Sequence, residues 1–339
     1  MKVKIIVAVC ISLVTVVLGI AIGSVNIPPA SILRIIAHNL FGAELPENIS
    51  SSHASIVWSI RLPRALLAYV AGAALAVSGA VMQSVLRNPL ASSYTLGVSS
   101  GASLGASLVI FLGVSLPVLS MLTLPILGFA FGLATILLVM GISRQMDARL
   151  ENHTIILVGM VLALFVNAIT TLMFGLFREG TQRMILWQMG SFAGRGWNTI
   201  FILAPVALIG IIAIFLRKRE LDVMTFGEEQ ARAIGVNAGN VKMMLLIIAA
   251  ALTGGTIAFV GIIGFVDLVA PHVVRKIFGS AHKVVIPMSA IFGGAFMVIA
   301  DLAARTVTAP VELPVGAVTA LIGAPFFAYV FFSKRKRKV

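Results

Sequence analysis

The 339-residue chain is short of charge: only 11% of its residues are Asp, Glu, Lys or Arg, against 59% hydrophobic. Its mean hydropathy is +1.07. A soluble fold cannot hide that much apolar surface, and several runs exceed the 18 or so apolar residues that mark a transmembrane helix. The runs do not alternate, which excludes a transmembrane β-barrel. Cysteine is nearly absent. Cys10 stands alone, so there is no intrachain disulfide and no thiolate set for a metal. The five histidines (His38, His53, His153, His272 and His282) lack the spacing of a metalloenzyme. No glycine-rich loop ends in Lys-Ser/Thr, so ATP phosphates are not expected to bind here. No serine lies in a nucleophile elbow. Catalytic, cofactor and metal residues are therefore all expected to be none. Acidic residues within the apolar runs are few, and Asp267 and Asp301 fall near expected outer ends. An ion-coupled carrier needs an ionisable relay near the midplane, so this placement speaks against that class.

The second shortage is acidic residues, 12 against 25 Lys and Arg, giving +13. In a soluble protein such an excess suggests nucleic acid; in this one the positive-inside rule accounts for it, and no nucleic-acid partner is expected. About ten spans are predicted, near 5–25, 65–86, 94–113, 117–141, 153–176, 198–216, 242–261, 263–278, 284–303 and 314–332. The chain reads as a single all-α polytopic domain, 1–339, in a bacterial plasma membrane. With ten spans both termini share a side, and Lys2, Lys4 and the tail Lys334–Lys338 make it the cytoplasm. About 18 of the 25 basic residues then lie inside and 7 outside, all seven of them arginine. Ile5–Val25 is longer than a signal-peptide core and no convincing cleavage site follows it, so it is expected to be an uncleaved first span.

The organising stretch is Arg61–Ala102. Arg61-Leu62-Pro63-Arg64 opens an apolar run that ends at Arg87-Asn88-Pro89, with proline where a helix start tolerates it. Ala68, Gly72, Ala76 and Ala80 recur every fourth residue, a small-residue groove for close helix packing in lipid. Outside, 26–60 form a connector with a short helix near Ala30–Leu40, and Arg178–Trp197 places tryptophans at an interface. Inside, the longest loop is 217–240. Gly227 and Gly235 bracket a short helix in which Glu228 and Arg232 are spaced to pair. Local physics leaves that helix open between a docking element and a solvated loop. Later, Ala250–Thr256 weakly repeats Ala73–Gly79 in the opposite sense, as an inverted repeat would. Residues 264–272 read as a helix broken by glycine and proline. Asp301 and Arg305 are four apart and can pair.

Together these residues resemble the FecCD-type permease subunits of type II ABC importers, which take up iron–siderophores, haem and cobalamin. The resemblance rests on RLPR at Arg61–Arg64, GAALAVSGAVMQ at Gly72–Gln83, RNPLA at Arg87–Ala91 and LGVSSGA at Leu96–Ala102. It continues through GEEQARAIGV at Gly227–Val236, GFVDLVAPHVVR at Gly264–Arg275, ADLAAR at Ala300–Arg305 and ELPVGAVTALIGAPFF at Glu312–Phe327. It implies a ten-helix subunit in the lipid bilayer, a second permease subunit (itself or a paralogue), two ABC ATPase subunits that hydrolyse ATP, and an extracytoplasmic substrate-binding protein. The implied cargo is an iron(III)–siderophore, with haem or cobalamin as alternatives; the rival reading from a different class is an ion-coupled secondary transporter working without ATPases. Binding-protein docking is implied for Arg61, Arg64 and Arg305. ATPase coupling is implied for Gly227, Glu228, Glu229, Ala231, Arg232 and Gly235. The cytoplasmic gate and path are implied for Asn88, Pro89, Leu90, Asn152, His153 and Gln83. Two departures stand out: Ser92-Ser93 replace the family's acidic-Pro pair, and Asp267 replaces a small or apolar residue.

Overall fold

A computed structural model describes residues 1–335 apart from 24, 26, 47, 48, 118 and 148, and omits the side chains of 228 and 329–335. The end of the basic tail (336–338) and the Glu228 side chain, expected to pair with Arg232, lie outside the described residues. All regular structure among the described residues is helical. The helices are α1 (Lys2–Ala21), α2 (Pro29–Phe41), α3 (Ser51–Ser55), α4 (Leu62–Val85), α5 (Val98–Leu112) and α6 (Thr123–Met146). They continue as α7 (Asn152–Leu176), α8 (Thr181–Gln188), α9 (Trp197–Leu216), α10 (Lys218–Met224) and α11 (Glu228–Ala233). The last four are α12 (Ala238–Val260), α13 (Val266–Phe278), α14 (His282–Thr306) and α15 (Val315–Arg335).

Each predicted span is a helix. Seven of them, α1, α4, α6, α7, α9, α12 and α14, are long and apolar enough to cross a membrane. Of the other three, α5 and α15 carry shorter apolar stretches, Val98–Leu112 and Val315–Ala328. At 13 residues α13 reaches only about 20 Å, short of the hydrocarbon core. The chain is thus a multi-pass membrane protein. Its two sides are named here by the N-terminus: the N-terminal face, where α1 begins, and the opposite face.

At the centre is α4, which packs against α14, α13, α12 and α9. Its small-residue stripe makes this possible. Ala68, Gly72, Ala76 and Ala80 are all buried. A Cβ on Gly72 would come within 2.2 Å of the Gly293 carbonyl on α14, and one on Gly79 within 1.9 Å of the Asp267 carbonyl on α13. Backbones that close leave dispersion to hold the helices together where lipid offers no hydrophobic drive. The two weakly similar segments face each other: Ser78 Oγ lies 2.7 Å from Thr253 Oγ1 and bonds the Ala249 carbonyl at 2.7 Å.

Two expectations change. Residues 264–272 are not a helix broken at proline; α13 runs through Pro271, and the irregular stretch is 261–265, with Phe265 at φ 67°. Proline removes the N–H that would bond the carbonyl four residues back, at Asp267. Gln83 Nε2 of α4 donates to that carbonyl instead, at 3.0 Å. Asp267 is also not near the opposite face. It lies beside Gly79 and Gln83, in the last third of α4. Residues 261–265 carry the chain back into the protein before α13 starts, which places a buried carboxylate at membrane depth and removes the sequence argument against an ion-coupled carrier.

Candidate functional site

Three sites lie along the molecule, one at each face and one between. At the opposite face the three arginines assigned to docking come together. Arg64, in the first turn of α4, uses its whole fork. Its Nε lies 3.0 Å from both Asp301 oxygens and its Nη2 lies 2.8 Å from Oδ1. Nη1 and Nη2 also donate to Glu312 Oε1 and Oε2 at 2.8 and 3.0 Å. Such bidentate bonds suit a planar guanidinium, and lysine could not reproduce them. Arg305 lies 3.6 Å from Asp301 Oδ2, the foreseen i,i+4 pair, and also donates to the Gly19 carbonyl. Arg61 ends a π-helical turn (Ile56–Arg61) and donates to the Ala21 carbonyl at 2.8 Å and to that of Val25. Arg61 and Arg64 are 5% and 7% exposed. Their donors point inward, joining α1, α4 and α14. Glu312, in the loop before α15, is the exposed member, and its bond to Arg64 holds its carboxyl below the usual range. Nearby, Trp197 Nε1 donates to the Trp58 carbonyl at 2.9 Å with the two rings 5.0 Å apart, anchoring α9 to the π-turn.

Between the faces is a cavity of about 470 Å³ walled by α8, residues 262–265, α13, α15 and the turn after α4. Its polar groups are neutral: Ser92, Tyr94 and Gln188, the last held by a 2.9 Å bond to Ser103. Sequence reasoning missed this cavity, because α8 was read only as an interfacial stretch. Gln83, assigned to the path, is buried behind the wall.

On the N-terminal face a cleft of about 660 Å³ brings together residues far apart in sequence: Arg87, Asn152, His153, Gly227, Glu229 and Arg232. Asn88 Oδ1 accepts the Leu90 N–H at 2.9 Å, fixing the turn, with Pro89 and Leu90 exposed beside the cleft residue Arg87. Asn152 Oδ1 accepts from Lys242 Nζ at 2.7 Å, and the same ammonium donates to the Leu150 carbonyl at 2.6 Å. Lys242 was read only as a basic residue of the inner side, yet it is fully buried and ties the start of α7 to α12. His153 lies 3.3 Å from Glu151. Asp147 accepts the Arg149 and Glu151 N–H groups at 2.9 and 2.6 Å, which lowers its pKa.

The bracketing glycines behave as their spacing suggested. Gly227 (φ 123°) and Gly235 (φ 85°) flank α11, and the Val236 N–H closes the helix on the Ala231 carbonyl at 2.9 Å. Ala231 is buried, whereas Glu229 is exposed. Asn152 and His153 of the expected gate and residues of the expected coupling helix therefore share one cleft; Asn88–Leu90 follow the cleft residue Arg87 without lining it, and Gln83 is separate. Two further residues were missed. Asp222 on α10 accepts both the His282 N–H (2.9 Å) and Nδ1 (2.6 Å).

Comparison with known proteins agrees over nearly the whole chain. The profile of the FecCD transport family matches residues 10–333. An uncharacterized ABC transporter permease, YvrB of Bacillus subtilis (strain 168), is 41% identical over 95% of this chain and 91% of that protein. The Fe(3+)-citrate import system permease protein YfmE of the same organism is 36% identical over 95% and 92%. Other relatives are named for hemin and for cobalamin import. A solved structure described as an inward-facing ABC transporter assigned to the metal-chelate type superposes with a TM-score of 0.85. It is 27% identical and covers 98% of this chain and 100% of its own.

Proposed function

Because the chain belongs to the FecCD transport family and is an ABC importer permease, we propose that its cargo is an iron(III)–siderophore delivered by an extracytoplasmic binding protein. The N-terminal face is cytoplasmic in this reading, since it gathers most of the basic residues. Two partner ATPases dock at the cleft around α11 and hydrolyse the ATP. A second permease subunit, a copy of this chain or a paralogue, completes the path. The binding protein docks at the opposite face. There Arg61, Arg64 and Arg305, their donors turned inward, brace the rim that receives it. Asn88–Leu90 with Asn152 and His153 close the cytoplasmic end.

One observation carries the cargo class: relatives over the full chain include a ferric-citrate permease, and the solved relative is assigned to the metal-chelate type. The cavity chemistry agrees. Its polar lining is neutral, and among the described residues no group of three His, Cys, Asp or Glu could strip and hold a bare ion. A chelate that carries its own ligands needs only room and a few hydrogen bonds.

The test is reconstitution of the permease with its ATPase and binding protein in lipid vesicles. Radioiron uptake is followed as ferric trihydroxamate and ferric citrate, with haemin and cyanocobalamin as competing cargo. ATP-dependent iron uptake is expected. Transport of haemin or cobalamin alone would reject the cargo, and uptake driven by an ion gradient without ATP would reject the coupling.

A further inference from the structure

Ser93 and Asp267, far apart in sequence, touch. Ser93 Oγ donates to Asp267 Oδ2 at 3.1 Å, and the Ser93 N–H reaches the same oxygen at 3.3 Å. Asp267 is 3% exposed, and its Oδ1 has no hydrogen-bond partner. A carboxylate buried with one oxygen unmatched is costly, so its presence points to a task beyond cohesion. The turn it grips presents Ser92 and Tyr94 to the central cavity.

The same residue is one end of a continuous polar chain. The Asp267 carbonyl, freed by Pro271, accepts Gln83 Nε2 at 3.0 Å, and Gln83 Oε1 accepts Arg275 Nη1. Arg275 Nη2 donates to Ser84 Oγ and the Ala80 carbonyl, each at 3.0 Å. His282 Nε2 lies 2.7 Å from Ser84 Oγ, and its Nδ1 meets Asp222 on α10. α10 packs directly on α11. Four helices are thus joined by hydrogen bonds from side chains to one another and to the Asp267 and Ala80 carbonyls. Such a network resists shear between its members more than apolar packing does.

We propose that Asp267 is a positioning residue. It fixes the Ser92–Thr95 turn on the cavity wall and, through Gln83, Arg275, Ser84 and His282, makes that wall move with Asp222 when the ATPases displace α10 and α11. The inference rests on the importer reading, which supplies that displacement.

The reconstituted full complex tests this with radioiron ferric citrate and ferric trihydroxamate as cargo, using Asp222→Asn, Asp267→Asn and the double variant. Each single change is expected to lower uptake per ATP hydrolysed about fivefold with KM unchanged. Although the two residues do not touch, the double variant should be no worse than the poorer single one. Distant independent sites multiply instead, and multiplied losses would overturn the proposal. So would a loss of thermal stability with uptake per ATP intact, the signature of cohesion alone. If the wild-type complex takes up neither iron probe, the cargo reading fails and amide exchange decides the inference. A non-hydrolysable ATP analogue should alter exchange across residues 94–97 in the wild type but not in Asp222→Asn; the same change in both would reject the chain.

Discussion

Replacing Arg64 by methionine keeps most of the side-chain volume and removes the guanidinium that holds two carboxylates. Asp301 is 2% exposed, so its charge cannot turn to water, and Arg305 at 3.6 Å is a long second partner. Glu312 is 41% exposed at its side chain and can be rehydrated, so its release adds little. Breaking a buried pair from one side costs about 3–5 kcal/mol, and the partial cover from Arg305 sets the expectation at the low end, about 3 kcal/mol. Arg64→Met with Asp301→Leu removes the stranded charge as well, and should return to within about 1 kcal/mol of the parent. Equilibrium unfolding in mixed detergent micelles measures both, and the cycle of single and double variants isolates the pair. If Arg64→Met left stability unchanged yet abolished binding-protein affinity, the guanidinium would be facing the partner directly, and the inward geometry described above would be wrong.

Glu312 gives a pH prediction. Its bond to Arg64 lowers its pKa below the unfolded value, so its contribution is complete above the ordinary glutamate range and is lost as pH falls through the lowered value. Unfolding between neutral and acid pH should show that slope in the parent and a shallower one in Glu312→Gln. Gly72→Leu should prevent α4 and α14 from closing, costing about 3 kcal/mol or more, whereas Gly141→Ala, with nothing within 4 Å, should be neutral or stabilising by up to about 1 kcal/mol; melting in detergent separates them. Lys242→Met leaves the Leu150 carbonyl and Asn152 without their donor, and should destabilise by about 1–3 kcal/mol, with faster amide exchange at the start of α7. Glu229→Lys, on an exposed helix position, should leave melting unchanged while reducing uptake per ATP hydrolysed about tenfold, read in the same vesicles.

Much of the helical layout could be read from the chain because lipid makes its rules local. Long apolar runs, a four-residue stripe of alanine and glycine, and two glycines around Glu228–Ala233 each carry their consequence within a few residues. What escaped was set by distance. Arg64 is satisfied by Asp301 and Glu312, 237 and 248 residues away, so it looked free when read one segment at a time. Asp267 was placed at the wrong depth because hydropathy cannot distinguish a helix that spans from one that starts halfway. Lys242 looked like an ordinary cytoplasmic lysine because its acceptors, Leu150 and Asn152, lie about 90 residues away at the start of α7.

The missing N–H of Pro271 also bears on how the chain is made. A half-length helix whose Asp267 carbonyl is capped by Gln83 of another helix cannot complete its own backbone bonding in lipid, where an unmatched carbonyl costs several kcal/mol. During synthesis α4 leaves the ribosome long before α13, so the capping amide is already waiting when that segment arrives. A split version divided in the 217–240 loop should therefore behave asymmetrically: the second half, made alone, has no Gln83 to offer α13 and should be degraded, and co-expression of the first half should rescue it.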